Sequence, residues 1–320
     1  RMVEARERGM STAEAIRIQR EAEILERRAY GQKATVTFAE AALTYMQSGG
    51  EARFLSPILH YFGSRGTLLC IVNAPINRAA RALYPEARPA TINRQLITPI
   101  SAVVNMAAMD GLCDVKRFRR HADDRKRMRW LSPLEAERLI EAADPHLLPA
   151  IALLLGGGCR TGEALALDVS TYYQNTGEAY LPDTKNGHPR MIRLPDRAAS
   201  MIEAAGLPDL GPILRTPKGK PYTMRANGGG QIAGAFRKAR EKAGLGPEVT
   251  PHVLRHTWAT WFYSQTRDFG ALLDLGGWLK ADLANRYRKT APDDLPGELL
   301  AYGWDFTRGR GPGIPYQINQ

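Results

Sequence analysis

Over the first 115 residues apolar positions recur at helical spacing, and no stretch shows the strict alternation of a strand. Ile16, Ile24 and Leu25 sit among alternating Arg and Glu, and Ser11 with Glu14 has capping-box spacing. This predicts a solvent-rich helix over 12–28 that Gly31 ends. Thr37 and Glu40 repeat the pattern and open a helix through Ala41, Leu43 and Met46, stopped at Gly49-Gly50. Further helices are predicted near 54–62 and over 91–110. Pro99 should kink or divide the latter, because it has no N–H to donate and its ring crowds the preceding turn. Beyond residue 131 the pattern changes. Ser132-Pro133 with Glu135 is an N-cap, an N1 proline and a first-turn acid, and helices are predicted over 133–143, 146–156 and 161–167. Strand-like stretches follow at 168–173, 178–181 and 190–194, separated by turns at Asn175-Thr176-Gly177 and Lys185-Asn186-Gly187, which predicts a small antiparallel meander. From 196 to 302 the pattern is helical again between Gly/Pro breaks, and 307–320 reads as an extended tail.

The chain therefore reads as mainly α with a small antiparallel β-sheet. It is organised as an N-terminal helix and linker (1–33), a small helical domain (34–115), a connector (116–130), a larger domain (131–305) and a C-terminal tail (306–320). At 44% hydrophobic and 24% charged residues, wholesale disorder is excluded. The longest apolar stretch, 147–155, is far shorter than the roughly 20 residues of a membrane span, so no membrane partner is expected. The three cysteines, Cys70, Cys113 and Cys159, are widely spaced and without C-x-x-C, which argues against a disulfide framework and for a reducing cytosol.

Charge changes the picture more. A formal net charge of +11, with 34 Arg and 10 Lys, makes a polyanion the first partner to consider. The excess is concentrated in the connector, where Lys116, Arg117, Arg119, Arg120, Arg125, Lys126, Arg127 and Arg129 outweigh Asp123 and Asp124. These eight are candidate contacts to a DNA backbone, since each neutralised phosphate releases counterions.

Four clusters carry candidate chemistry. A glycine turn, Gly157-Gly158-Cys159, places Arg160 at the start of a helix bearing Glu163. The second turn of the meander places Lys185 on a hairpin tip. His252, Arg255 and His256 share one helical face. Gly276-Gly277-Trp278 is followed nine positions later by Tyr287, between Arg286 and Arg288. The histidine pair lacks the glutamate of H-E-x-x-H and a third ligand, so no metal is expected. Without a Walker A motif or a carboxylate cluster, no cofactor is expected either.

In this order the clusters resemble the catalytic domain of tyrosine recombinases, the phage integrase family. GGCRTGEALAL is similar to the family's first-arginine segment, TKNGHPRMIRLP to its lysine hairpin, PHVLRHTWAT to its His–Arg segment and LGGWLKADLANRY to its Trp/His-to-tyrosine segment. The match covers about 131–295. A weaker one over 35–115, where ATINRQLITPISAVVNMAAMDGL looks like the last helix of the core-binding domain, extends it. Gly157, Pro99 and Arg288-Lys289 depart from the common pattern.

The resemblance implies a core-binding domain followed by a catalytic domain, and a site-specific recombinase that cleaves and rejoins duplex DNA through a 3′-phosphotyrosyl link, in integration or excision of a mobile element. It implies catalytic roles for Arg160, Lys185, His252, Arg255, Trp278 and Tyr287. The arginines would hold the phosphate, Tyr287 would attack it, and His252 would act as base or orient the phosphate. Lys185 would protonate the leaving oxygen, and the Trp278 indole would pack against the phosphate. Glu163 and His256 would support these groups. It further implies a homo-tetramer on two duplexes, directionality or bending factors, and a place on the bacterial nucleoid. The helix at 1–30 lies where many members join an arm-binding domain, and with Arg1 as first residue that domain is expected to be removed or absent. The competing readings are a type IB topoisomerase, marked by supercoil relaxation without site preference, and a non-catalytic DNA-binding protein of the same fold.

Overall fold

In the computed structural model the chain divides into two units, Arg1–Lys126 and Arg127–Gln320, each with its own apolar core. The structure describes residues 36–63, 66–68, 71–122, 128–182, 187–223, 230–288 and 292–307, with scattered helical, exposed positions between 14 and 25.

The first unit is helical. Helix α1 (Phe38–Gln47) starts at a complete capping box, in which the Glu40 N–H donates to Thr37 Oγ1 at 3.2 Å and the Thr37 N–H donates to Glu40 Oε2 at 2.8 Å. Helix α2 (Leu55–Phe62) follows. Helix α3 (Asn73–Leu83) is absent from the sequence reading. It buries only Ile76, Ala79 and Ala80, a stripe too narrow to stand out from its polar surroundings. The predicted helix over 91–110 is divided: α4 (Pro89–Ile92) passes through a π-helical turn, Asn93–Ile97, into α5 (Thr98–Met109). The Thr98 N–H and hydroxyl both donate to Asn93 O, so the widened turn lies directly before Pro99, where a hydrogen-bond donor is missing. Phe38, Ile58, Ile76, Leu96, Ile100 and Val103 form the core.

The basic stretch is not a free connector over its whole length. Lys116 Nζ donates to the carbonyls of Leu68 and Ile71. The Arg119 N–H donates to Asn73 Oδ1 at 2.8 Å, and Asn93 holds both backbone groups of His121 at 2.9 Å. These bonds lay 116–121 along the first unit. Arg129 belongs to the second, pairing with Glu135 at 2.5 Å. Arg125, Lys126 and Arg127 lie outside the described residues.

The second unit begins with α6 (Pro133–Ala142), which carries the Ser132/Glu135 capping box. Helix α7 (Leu148–Leu155), led in by a 3₁₀ turn at Pro145–Leu147, is buried from Pro149 to Leu155. A helix apolar on all sides has to lie at the centre of its domain, and α7 packs against both α9 (Asp196–Ala204) and α11 (Pro251–Thr266). After α8 (Thr161–Ala166) comes an antiparallel sheet of order β1 (Tyr172–Tyr173), β2 (Glu178–Leu181), β3 (Arg190–Arg193). Ala179 opposite Ile192 and Leu181 opposite Arg190 put Arg190 and Ile192 on the buried face, with Met191 and Arg193 outward.

The stretch expected to be helical from 196 breaks after α9. Residues 205–223 carry bridges from Asp168 to Pro212 and from Arg215 to Pro221 instead, because Pro208, Pro212, Pro217 and Pro221 lack the N–H a helix needs and Gly206, Gly211 and Gly219 add backbone entropy that disfavours one. Helices α10 (Ala233–Lys242), α11, α12 (Phe269–Gly276), α13 (Ala281–Arg288) and α14 (Leu295–Ala301) complete the unit. The expected tail is docked at its first residue: Phe306 is buried against Phe262 and Trp304, and its N–H donates to Gln265 Oε1 at 2.8 Å. Residues 308–320 lie outside the described residues. Among the described residues no helix is long and apolar enough to cross a membrane.

Leu153, fully buried in α7, sets a first test. Leu153→Ala should cost about 2–5 kcal/mol of unfolding free energy, read as a lowered midpoint in urea denaturation at unchanged slope.

Candidate active site

Helix α11 organises the site. Thr250 and Pro251 start it, and its 16 residues present two faces. Trp258, Trp261 and Phe262 are buried in the core, while the turn containing His252, Arg255 and His256 gathers the polar groups. Trp261 Nε1 donates to Leu131 O at 3.0 Å, and the Leu131 N–H donates to Thr257 Oγ1 at 2.9 Å, fixing the helix against the start of the domain.

Arg255 is 2% exposed. Its Nη1 donates to Gly158 O and its Nη2 to Gly276 O, and the guanidinium lies 4.7 Å from the Trp278 ring centre. Both carbonyls precede a candidate residue by two positions, so one side chain ties the Arg160 and Trp278 segments to α11. Glycine is required where the backbone turns toward it. Gly158 has φ +61°, and a Cβ there would lie 2.2 Å from the Trp258 ring. Gly277, at φ +63°, closes α12, with the Trp278 N–H donating to Leu273 O at 3.0 Å. Burial and the neighbouring Arg160 and Arg190 lower the Arg255 pKa to about 10, which still leaves it cationic at neutral pH.

Beneath the arginines lies Glu163. Its carboxylate accepts from Arg160 Nη1 at 2.5 Å, from the Arg160 N–H at 2.7 Å, and from both terminal nitrogens of Arg190 at 2.9 and 2.8 Å. Burial pushes its pKa up, but the hydrogen bonds from Arg190 and Arg160 outweigh it and hold the carboxyl at about 2. Arg190 Nε also donates to Leu275 O at 2.8 Å, linking β3 to α12. Arg190 was not among the candidates drawn from the sequence. The available signal was strand alternation, which turns an arginine at 190 inward with Ile192 and so requires a buried carboxylate.

Tyr287 on α13 is 2% exposed and sits 5.4 Å from the Trp278 ring, centre to centre. Its hydroxyl meets His256 Nδ1 at 2.7 Å. His252 packs edge-on to His256, with ring centres 4.5 Å apart. Burial raises the Tyr287 pKa against the pull of Arg286 and Arg255, so the phenol keeps its proton at neutral pH. Burial lowers the His252 pKa, with Arg255, Arg160 and Arg286 adding to it. His256 is lowered to about 4 by burial, then by His252, Arg286 and Arg255. Both imidazoles are therefore neutral at pH 7.

The structure thus brings together Arg160, Glu163, His252, Arg255, His256, Trp278 and Tyr287, and adds Arg190. The family resemblance makes His252 the base or a group that orients the phosphate; the Tyr287 hydroxyl contacts His256. Lys185 lies outside the described residues. Of the connector candidates, Arg117, Arg119 and Arg120 have exposed side chains, and Lys116 and Arg129 are engaged by protein groups.

Residues 218–293 match the model of the phage integrase family. The chain is 26% identical over 189 residues to the integrase of Salmonella phage P22, covering 53% of this chain and 46% of that one. It is 30% identical over 150 residues to tyrosine recombinase XerC of Bradyrhizobium diazoefficiens, covering 45% and 44%. The chain spans about half the length of these curated relatives. In fold it is similar to the Tn1549 transposon integrase in complex with a circular intermediate DNA (TM-score 0.64, 16% identity, 83% of this chain and 99% of that one). It is also similar to a lambda integrase dimer bound to a core site (TM-score 0.61, 20% identity, 80% and 94%).

Glu163 supplies a pH prediction. Its folded pKa lies below the ordinary Glu value, so its stabilisation is complete above roughly pH 5 and is lost as pH falls toward about 2. Glu163→Gln should flatten the stability profile over that window. At pH 7 it should cost about 3–5 kcal/mol, because Arg190 is left buried without its partner. Denaturant unfolding at stepped pH checks both.

Proposed function

We propose that the chain is a member of the phage integrase family of tyrosine recombinases, a reading supported by its family-model match and its relatives, and that it cleaves and rejoins duplex DNA at a specific site through a phosphotyrosyl intermediate. The observation that carries the reading is the tyrosine itself. An otherwise ordinary phenol is buried against an imidazole and an indole, with the charge of two arginines focused beside it. An ordinary core position would not set a hydroxyl between an imidazole and an indole with two guanidiniums acting on it.

The chemistry follows from that arrangement. Attack on a phosphodiester places extra negative charge on the non-bridging oxygens, and guanidiniums meet it with forked, charge-assisted hydrogen bonds. Arg255 enters with two of its five N–H groups already committed to carbonyls, so its orientation is set before substrate arrives. Arg160 is held likewise by Glu163. Tyr287 Oη attacks the phosphorus, the P–O5′ bond breaks, and the 5′ oxygen leaves as a hydroxyl after taking a proton from Lys185. The lysine's role rests on its place in the hairpin motif. The 5′-hydroxyl of a partner strand then reverses the step, releasing Tyr287. The phosphotyrosyl link conserves the bond energy, so rejoining needs no nucleotide cofactor.

The substrate class implies the partners: a specific recombination site on double-stranded DNA, and a homo-tetramer that holds two duplexes. The exposed Arg117, Arg119 and Arg120 contact phosphates. The physiological setting is integration or excision of a mobile element in the bacterial cytoplasm.

Two measurements test this. Nicked duplexes tiled from DNA flanking the gene, incubated with the protein in EDTA, should yield a denaturant-resistant adduct that vanishes with Tyr287→Phe. Tight binding with no adduct on any duplex would leave a DNA-binding protein in its place. In a second test, replacing Arg117, Arg119 and Arg120 together by Ala should make the dependence of log affinity on log salt shallower by up to about 3, at roughly one per lost phosphate contact. An unchanged slope removes them from the interface.

A further inference from the structure

We propose that His256, rather than serving only to support its helix, is the general base of the cleavage step, with its Nδ1 taking the Tyr287 phenol proton as the Oη–P bond forms. The inference rests on the cleavage reading above and deepens it. Its ground is the 2.7 Å contact between His256 Nδ1 and Tyr287 Oη, within the reach that proton transfer needs. Tyr287 keeps its proton, so the hydroxyl donates and Nδ1 accepts. The imidazole is then the neutral tautomer with its hydrogen on Nε2. His252 is set differently: it lies edge-on to the His256 ring, and its pKa is lowered by burial and then by Arg255 and Arg160, the groups that would hold the phosphate. That leaves His252 to orient the phosphate or the second ring.

The charged and titratable groups facing His256 are His252 and Arg255 on α11 and Arg286 and Tyr287 on α13. In the free protein burial above all, with Arg286 and Arg255 adding a positive field, holds it a weak base, which keeps the phenol intact. A phosphodiester anion bound at Arg255 offsets part of that positive field and favours the imidazolium. The base therefore strengthens when substrate arrives. Protons balance: Oη loses one to Nδ1 while the 5′ oxygen gains one from the acid, and religation returns the first from Nδ1 to Oη.

The test is the single-turnover rate of adduct formation on a nicked duplex for the unmodified protein, His256→Asn and His256→Ala, between pH 5 and 9. The Asn amide oxygen can still accept from the phenol but cannot take its proton, which separates holding the hydroxyl from deprotonating it. Matched thermal melts and DNA affinities establish that the variants fold and bind. Both variants should react about 10²–10³-fold more slowly. With the phosphate bound and the His256 pKa raised from its free value of about 4, the unmodified protein should show a rate that rises with pH from the acid end of this range as the imidazole loses its proton, and this limb should be missing in His256→Asn. An Asn variant within about threefold of the unmodified rate, or one slowed equally at every pH, overturns the base assignment while leaving the cleavage reading intact. No adduct from the unmodified protein on any duplex overturns both.

Discussion

The side chain of Arg255 is a cation enclosed in the core of its domain, with its two outer nitrogens spent on the carbonyls of Gly158 and Gly276. A buried guanidinium without acceptors would be far too costly. The fold meets that cost with backbone rather than with an acid, and the consequence is geometric. Two glycine turns, separated by more than a hundred residues of chain, are held to one helix by the same planar group. The aromatic face of Trp278 lies against that plane. Arg160, Trp278 and, through Trp278, Tyr287 take their positions from this arrangement.

Positive charge gathered without an anion would push the structure apart, and Glu163 is what offsets it. One carboxylate accepts from Arg160 and from both ends of Arg190. It neutralises the arginine that faces inward and steers the one at the site's edge. Because Arg190 sits on β3 and also bonds Leu275 O, the same network fixes the sheet against α12.

Around Tyr287, burial acts on phenol and imidazole in opposite directions. It raises the phenol and lowers the imidazoles, so Tyr287, His252 and His256 all rest in their neutral forms beside the charged arginines and the Glu163 carboxylate. Under the proposed function, the fixed cations would meet the charge of a phosphodiester without reorganisation of the protein.

Much of this was legible in one dimension. Helix starts marked by Thr37/Glu40 and Ser132-Pro133, the 178–181 and 190–193 strands, and the order of the four clusters follow from capping chemistry, period-two alternation and residue type, all of which are local. Helix α3 was not legible, because three small or aliphatic residues in a polar segment become a core only when α2 and the π-helical turn cover them. The inward role of Arg190 depended on register across the sheet, and the docking of 116–121 on acceptors 20 to 50 residues away. The sequence by itself determined which chemistries the chain carries, because that is written in residue types and their spacing along one helix or turn. Which histidine meets the tyrosine was decided only by the tertiary structure, since His252 and His256 share a helical face and only the packing of α13 on α11 brings the hydroxyl to one of them.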